Sequence, residues 1–257
     1  HFSRQLVALS KHRPPPFQPG TRLGSHFAIE GLVRLGEGRM FYLANDARVD
    51  QPHRRCWSCG AEDTPRSEEH CVRCGESLTT RRFIVSARWD EELFEPYHEM
   101  RAKALSHPGL VETIDVIRMD SVLCRVSHWN NETLMVDEGA PLDRELMVKL
   151  ALRGVGLLAF LQTEGIEIAP LTQANLMLTN EGEYKFFDLE ILNVHNGPVP
   201  EPQCQAGIEG LARVLRRFSA IHDVPLLTVL TAATEARYKT PMEFGKALVD
   251  ASNTQPA

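Results

Sequence analysis

Four of the six cysteines sit in two turns of one pattern, Cys56-Trp57-Ser58-Cys59-Gly60 and Cys71-Val72-Arg73-Cys74-Gly75, with eleven residues between Cys59 and Cys71. Two CxxCG turns can point four thiolates at one centre, and Zn²⁺ accepts four sulfurs tetrahedrally without d-electron preference. A full set of four ligands leaves no open position for a substrate. The expected cofactor is therefore one structural zinc ion held by Cys56, Cys59, Cys71 and Cys74. The glycines allow backbone conformations that branched residues resist. A ribbon of this size, expected over 52–80, buries too little apolar surface to fold unaided. The metal would supply its folding energy, on the order of 10 kcal/mol in comparable small domains. Two redox CxxC pairs are the alternative, and rubredoxin-type iron uses similar knuckles at a much longer separation.

A second set of candidate groups lies in Gly165–Glu190, GIEIAPLTQANLMLTNEGEYKFFDLE. Asn175 and Asp188 are oxygen donors of the kind a hard cation takes. The run MLTNEGEYKFF between them reads as a hairpin turning at Asn180, Glu181 and Gly182. As isolated residues, either is an ordinary turn or capping residue. Upstream, Gly36 and Gly38 flank a tight turn in LGEG, and Arg88 ends the run FIVSAR.

These groups need elements to hold them. FAIEGLVRLGEGRMFYLAND reads as two short strands around the glycine turn, and Phe83–Arg88 as another strand. Glu91–Leu105 has Leu93, Phe94, Tyr97, Met100, Ala104 and Leu105 at helical spacing. Two further strands and a connection over Ser127–Asn131 follow the turn at Ser106, His107 and Pro108; both His107 and His128 fit structural roles. From Pro141 a long buried helix runs to Gly165, with Pro near its start and Gly past its end. Gly207–Phe218 and the end of the chain supply further helices. Residues 1–20 carry Arg4, Lys11, His12 and Arg13 and then Pro14, Pro15 and Pro16, which favour extended geometry: a linker, or a strap on the domain.

The order of these motifs resembles a protein kinase. In that family HRDxKxxN is followed about a dozen residues later by DFG. Here the register reads Ile168, Ala169, Pro170, Leu171, Thr172, Gln173, Ala174, Asn175, and then Asp188, Leu189, Glu190. Asn175 and Asp188 match the two magnesium-ligand positions, while the base has become Pro170 and the phosphate Lys has become Thr172. Gly36 and Gly38 match the first two glycines of the lid, and the third is missing. Ser86 stands where the third-strand Lys belongs; Arg88, two residues on and on the same face, either replaces that cation in part or is an exposed strand residue. Glu99, near the place of the helix acid, reads as a solvated residue. Gly207 stands where an Asp would anchor the catalytic loop, and Arg237, Tyr238 and Thr240 match the closing helix. The resemblance covers about 22–250 apart from the ribbon.

It implies an α+β, protein-kinase-like bilobal fold. A linker (1–21) precedes a β-rich small lobe (22–136) interrupted by the four-cysteine zinc ribbon (52–80), then a reduced α-helical large lobe (137–250) and a tail (251–257). It also implies a pseudokinase: a regulatory or scaffold domain without catalytic residues, ATP and Mg²⁺ lacking most of the groups that hold them. The expected partner is a protein, a signalling or phosphatase module that can lie in the same polypeptide, as in bacterial proteins that join such modules. The alternatives are a noncanonical ATP-dependent transferase that uses Asp188, Asn175 and Arg88, and a nucleic-acid-binding zinc ribbon.

Composition bears on the alternatives. With 28 Lys and Arg against 34 Asp and Glu the net charge is −6, which supplies no general attraction to nucleic acid or anionic lipid. From Asp50 to Arg82 six Arg face six acidic residues, so the ribbon is balanced. Trp57 could stack on a base, on a protein partner or on its own knuckle; a docking or bracing role is expected. The most apolar stretch, Leu146–Leu161, is broken by Lys149 and Arg153, and no membrane partner is expected. Cysteines in CxxC pairs suit a reducing compartment, the cytoplasm.

Overall fold

The strands from Phe27 to His128 are largely apolar, and the central ones are buried along nearly their whole length, as in a sheet covered on both faces. A computed structural model describes residues 14–36, 38–48, 51–79, 82–89, 93–103, 105–129, 133–134, 142–179, 181–219 and 223–254. Arg4, Lys11, His12, Arg13, Glu91, Ala104, Asn131, Pro141 and Asn180 lie outside the described residues. The chain divides into two compact units, His1–Arg101 with Glu112–Asn131, and Ala102–Val111 with Glu132–Ala257.

The first unit is built on strands β1 (Arg22–Leu23), β2 (Phe27–Gly36), β3 (Arg39–Asp46), β6 (Arg82–Arg88), β7 (Thr113–Met119) and β8 (Val122–His128), ordered β1-β2-β3-β6-β8-β7. All five pairings are antiparallel. Between β3 and β6 lies a small separate ladder, β4 (His53–Arg54) with β5 (Thr64–Pro65). Helix α1 (Phe94–Ala102) follows β6. One sheet face carries Phe27, Ile29, Tyr42, Ala44, Phe83, Val85, Ala87, Cys124 and Val126 in a continuous apolar core. Phe17 lies on that core edge-on to Tyr42, ring centroids 5.4 Å apart, so the segment after the three prolines is a strap.

The opposite face holds Phe41, Ile84, Ser86, Arg88 and Arg125, all buried. Arg88 is therefore not an exposed strand residue: it is 7% exposed and donates from Nη1 to the Tyr97 hydroxyl on α1 at 3.0 Å. Arg125 places its guanidinium 4.6 Å from the centre of the same ring. Glu99 is exposed on α1, as its spacing suggests.

The second unit contains β9 (Thr133–Leu134), α2 (Arg144–Thr163), β10 (Ile166–Ile168), a 3-10 turn at Gln173–Asn175, β11 (Leu176–Leu178), β12 (Tyr184–Phe186), β13 (Ile191–Val194), α3 (Glu201–Phe218), α4 (Val224–Thr234) and α5 (Pro241–Ser252). Asp143 caps α2 by accepting from the Leu146 backbone N–H at 2.9 Å. Its buried stripe, Met147, Leu150, Ala151, Gly154, Val155, Leu158 and Leu161, packs against α3 and α5. By length and composition α2 is long and apolar enough to cross a membrane, with 44% of that stretch buried. Helix α3 starts at Glu201, six residues earlier than the expected Gly207, because Pro202 in the first turn lacks only an N–H that has no intrahelical acceptor there. His107 is structural: its Nδ1 accepts from the Gly109 N–H at 3.0 Å and its ring stacks on Phe160.

Arg144 joins three elements of this unit. It pairs through Nε with Asp223 at 2.8 Å and donates through Nη2 to the carbonyls of Ala251 and Thr254 at the end of α5. Asp223 is 6% exposed and also caps α4 at the Leu226 N–H. Replacing Arg144 with Met is expected to cost about 2 kcal/mol, the range of charge-assisted hydrogen bonds. Urea denaturation measures it, and a loss below about 0.5 kcal/mol, the level of a surface ion pair, would contradict the clamp.

Candidate metal centre

The two CxxCG turns fold alike. In each, the first Cys N–H donates to the carbonyl five residues on, Cys56 to Ala61 at 2.7 Å and Cys71 to Glu76 at 2.8 Å. The glycine N–H returns to the first Cys carbonyl at 2.9 Å in both. Closing this turn requires positive φ at the glycine, 75° at Gly60 and 76° at Gly75, which explains why both knuckles end in that residue. The knuckles bring the sulfurs of Cys56, Cys59, Cys71 and Cys74 within 4.8 Å of one another. Cys56 and Cys74 sulfurs are 3.5 Å apart, and those of Cys59 and Cys71 3.7 Å. A tetrahedron with Zn–S near 2.3 Å has edges of about 3.8 Å, so the set fits one metal ion such as zinc. No cysteine is in a disulfide.

Around this centre the apolar core among the described residues is a small cluster, Cys56, Ala61, Cys71 and Leu78. That is too little burial to order the ribbon by itself. Arg54 is buried and donates to the carbonyls of Leu78 and Arg66, closing the ribbon across its base. Burial pushes the Cys56 thiol up to about 12, whereas the backbone N–H groups of Cys74 and Arg73, with the Thr64 hydroxyl, hold Cys71 down at about 6. Cys71 thus offers a ready thiolate, and Cys56 must shed its proton when metal enters.

Trp57 packs neither on its own knuckle nor outward. Its ring stacks on Phe27 at 5.0 Å and meets Phe83 edge-on at 5.0 Å, against the apolar face of the six-stranded sheet. His26 closes on its other side at 6.0 Å, and its pKa is lowered by burial and by the nearby Arg55 and Arg48. The ribbon is braced on the sheet through this indole, which is then not available to stack on a base. Its arginines also meet carboxylates, Arg48 with Glu62, Arg66 with Asp46 and Arg73 with Asp63.

The other candidate residues divide between the units. Gly36 and Gly38 lie at the β2–β3 turn, Gly38 with φ 68°. Arg88 shares its face with Arg39, its direct cross-strand neighbour, and with Arg125, all three at most 8% exposed. Sequence reasoning missed Arg39 and Arg125, although strand alternation places both on the Arg88 face.

In the second unit Asn175 and Asp188 are brought together by the β11–β12 hairpin. Asn175 donates through Nδ2 to the carbonyls of Phe187 at 3.2 Å and Asp188 at 2.9 Å, while its Oδ1 accepts from the N–H and the hydroxyl of Thr172 at 2.9 and 3.0 Å. Both lone-pair directions of the amide oxygen are in use. Asp188 is 3% exposed with φ 49°. The loop ahead of the hairpin is held by contact with α3: a Cβ built on Gly210 would lie 2.1 Å from the Leu171 nitrogen and 2.7 Å from the Pro170 carbonyl carbon. At Gly207 its nearest neighbour would be a Leu158 methyl, at 3.0 Å, with the Ile168 side chain at an ordinary 3.8 Å.

Against known proteins, the sequence matches no family model and no curated protein.

Three outcomes follow from these contacts. The purified chain should hold one zinc per molecule, measured by mass spectrometry of the metal, and Cys56→Ser should abolish it. Protons compete with the metal for all four sulfurs, so the apparent zinc affinity, measured by competition with a chelator, should weaken as pH falls; an affinity independent of pH would contradict the thiolate site. Gly210→Ala should cost about 2–3 kcal/mol through backbone displacement. Gly207→Ala should be near neutral, since the helix gains about 1 kcal/mol from losing a glycine.

Proposed function

We propose that the chain is a protein-kinase-like domain without phosphotransfer activity, acting as a regulatory or scaffold module for a protein partner and braced by a structural zinc ribbon. The observation that carries this reading is the state of the loop around Asn175. At the position a magnesium ligand would take, the amide oxygen is consumed by Thr172, itself the replacement for the phosphate-binding Lys. Pro170 offers no proton acceptor in place of the base, a loss of about 10² to 10⁴ in rate. Ser86 has no charge to place on a phosphate, which removes electrostatic stabilisation as well. The element order among the described residues, an antiparallel sheet with one helix followed by a largely helical unit with a hairpin, is compatible with the resemblance.

A second reading, nucleotide binding without transfer, is favoured by Arg39, Arg88 and Arg125 on one sheet face beside Ser86. Guanidinium groups suit phosphate oxygens through paired donors and need no metal to do so.

Thermal denaturation separates the readings. A purely scaffolding domain shows no shift with millimolar ATP, with or without Mg²⁺. Metal-independent binding gives the same stabilisation in chelator as in Mg²⁺, reduced by Arg88→Met. Transfer of labelled phosphate that requires Mg²⁺ and disappears in Asp188→Ala would overturn both.

A further inference from the structure

The four sulfurs are not equivalent. Cys56 and Cys71 are buried, and Cys59 and Cys74 are exposed. All four sulfurs lie within 4.8 Å of one another, and two separations that cross between the knuckles each join one of either kind, Cys56 with Cys74 at 3.5 Å and Cys59 with Cys71 at 3.7 Å. Each pair therefore joins an exposed cysteine, the one open to an oxidant, to a buried one.

From this arrangement we propose that the metal centre is a peroxide-operated latch, in which oxidation closes Cys56–Cys74 and Cys59–Cys71 disulfides across the two knuckles, expels the metal and releases Trp57 from the sheet. The inference does not depend on the kinase-like reading. An exposed thiolate, Cys59 or Cys74, attacks one oxygen of hydrogen peroxide. The S–O bond forms, the O–O bond breaks, and hydroxide leaves as water after taking a proton. The buried partner, Cys71 or Cys56, then attacks the sulfenic sulfur: the S–S bond forms, the S–O bond breaks, and a second hydroxide leaves as water. Each pair gives up two electrons to one peroxide molecule and consumes two protons. After both pairs have reacted no thiolate remains to hold a divalent ion.

The same step changes the brace. Each sulfur pair must close from its present separation to about 2.05 Å, and the knuckles have only Ala61 and Leu78 as further apolar support. Cys56 adjoins Trp57, so movement of the first knuckle acts directly on the indole stacked against Phe27 and Phe83.

The full chain, loaded with zinc, is titrated with hydrogen peroxide while released metal is read with a chromogenic chelator and thiols are counted. One zinc should leave as four thiols are lost, with buried Cys124 and Cys204 retained. Trypsin cuts after Arg55, Arg66, Arg73 and Arg81, giving peptides 56–66, 67–73 and 74–81. Cross-knuckle pairing links peptide 56–66 to both others. Pairing within each CxxC instead leaves 56–66 internally bridged and joins 67–73 to 74–81, an outcome that overturns the proposal. Fluorescence should shift to the red in the native chain and not in Trp57→Phe, where only Trp89 and Trp129 report. Thiol reductant with added zinc should restore both signals. Zinc retained under a large excess of peroxide, or zinc released with Trp57 emission unchanged, also overturns the latch.

Discussion

The constraint on which the first unit depends is chain return. Strands β3 and β6 are direct neighbours, paired without interruption from Asn45 with Arg82 to Arg39 with Arg88, yet residues 47–81 intervene. A two-residue hairpin would make this return with no excursion at all. Here the excursion must come back to within one strand spacing of its departure, and the entropy of closing it falls on whatever orders the segment. The segment orders itself in three places: the four sulfurs at its centre, Arg54 across its base, and Arg66 at its root. Arg66 reaches the Asp46 carboxylate and the carbonyls of Arg48 and Gln51, beside the end of β3. Among the described residues the segment's apolar core is small, and a metal held by the four sulfurs would take its place.

That solution has a consequence for the sheet. The apolar face needs a cover, and among the described residues Phe17 and Trp57, from outside the strands, both pack on it. The ribbon is thus an integral part of the unit and not an appendage on a tether, since its indole completes a cluster with Phe27 and Phe83. The opposite face has another chemistry, arginines gathered around Tyr97, where both a hydroxyl acceptor and a ring face receive guanidinium groups. The two faces of this one sheet thus differ in chemistry, one braced by the indole of the four-cysteine ribbon and one rich in buried cations.

The legibility of these features in the sequence follows the range of the interactions. The four ligands were plain because each pair is local and the glycines announce the turn. The strands of the sheet were plain because short apolar and aromatic runs bounded by turn residues are a local signal. Arg88 was misjudged because its burial is decided by Tyr97, on an element whose docking no strand pattern encodes. Helix α4 went unnoticed since VPLLTVLTAAT is apolar on nearly all sides and rich in β-branched residues, leaving no clear 3.6-residue stripe. The early start of α3 was hidden by Pro200 and Pro202, which read as breakers unless their place in a first turn is recognised. Gly210 could not have been singled out, because what it touches is the backbone of Pro170 and Leu171, about forty residues earlier in the chain.

Gly210 also bears on how a loop can keep its shape after losing charged anchors. On the proposed reading, an aspartate on α3 and a catalytic aspartate and lysine have become Gly207, Pro170 and Thr172. The path of the loop is fixed instead by close approach of α3 to Pro170 and Leu171, by the rigid φ of proline, and by the hydrogen bonds that Thr172 and Asn175 exchange. Steric contact and backbone hydrogen bonds hold position without leaving a charge pointed at a reacting group. Catalysis demands polar groups whose valences are open before the substrate arrives, and in this loop the amide of Asn175 is spent on its own hairpin. A loop arranged this way conserves geometry at the expense of reactivity.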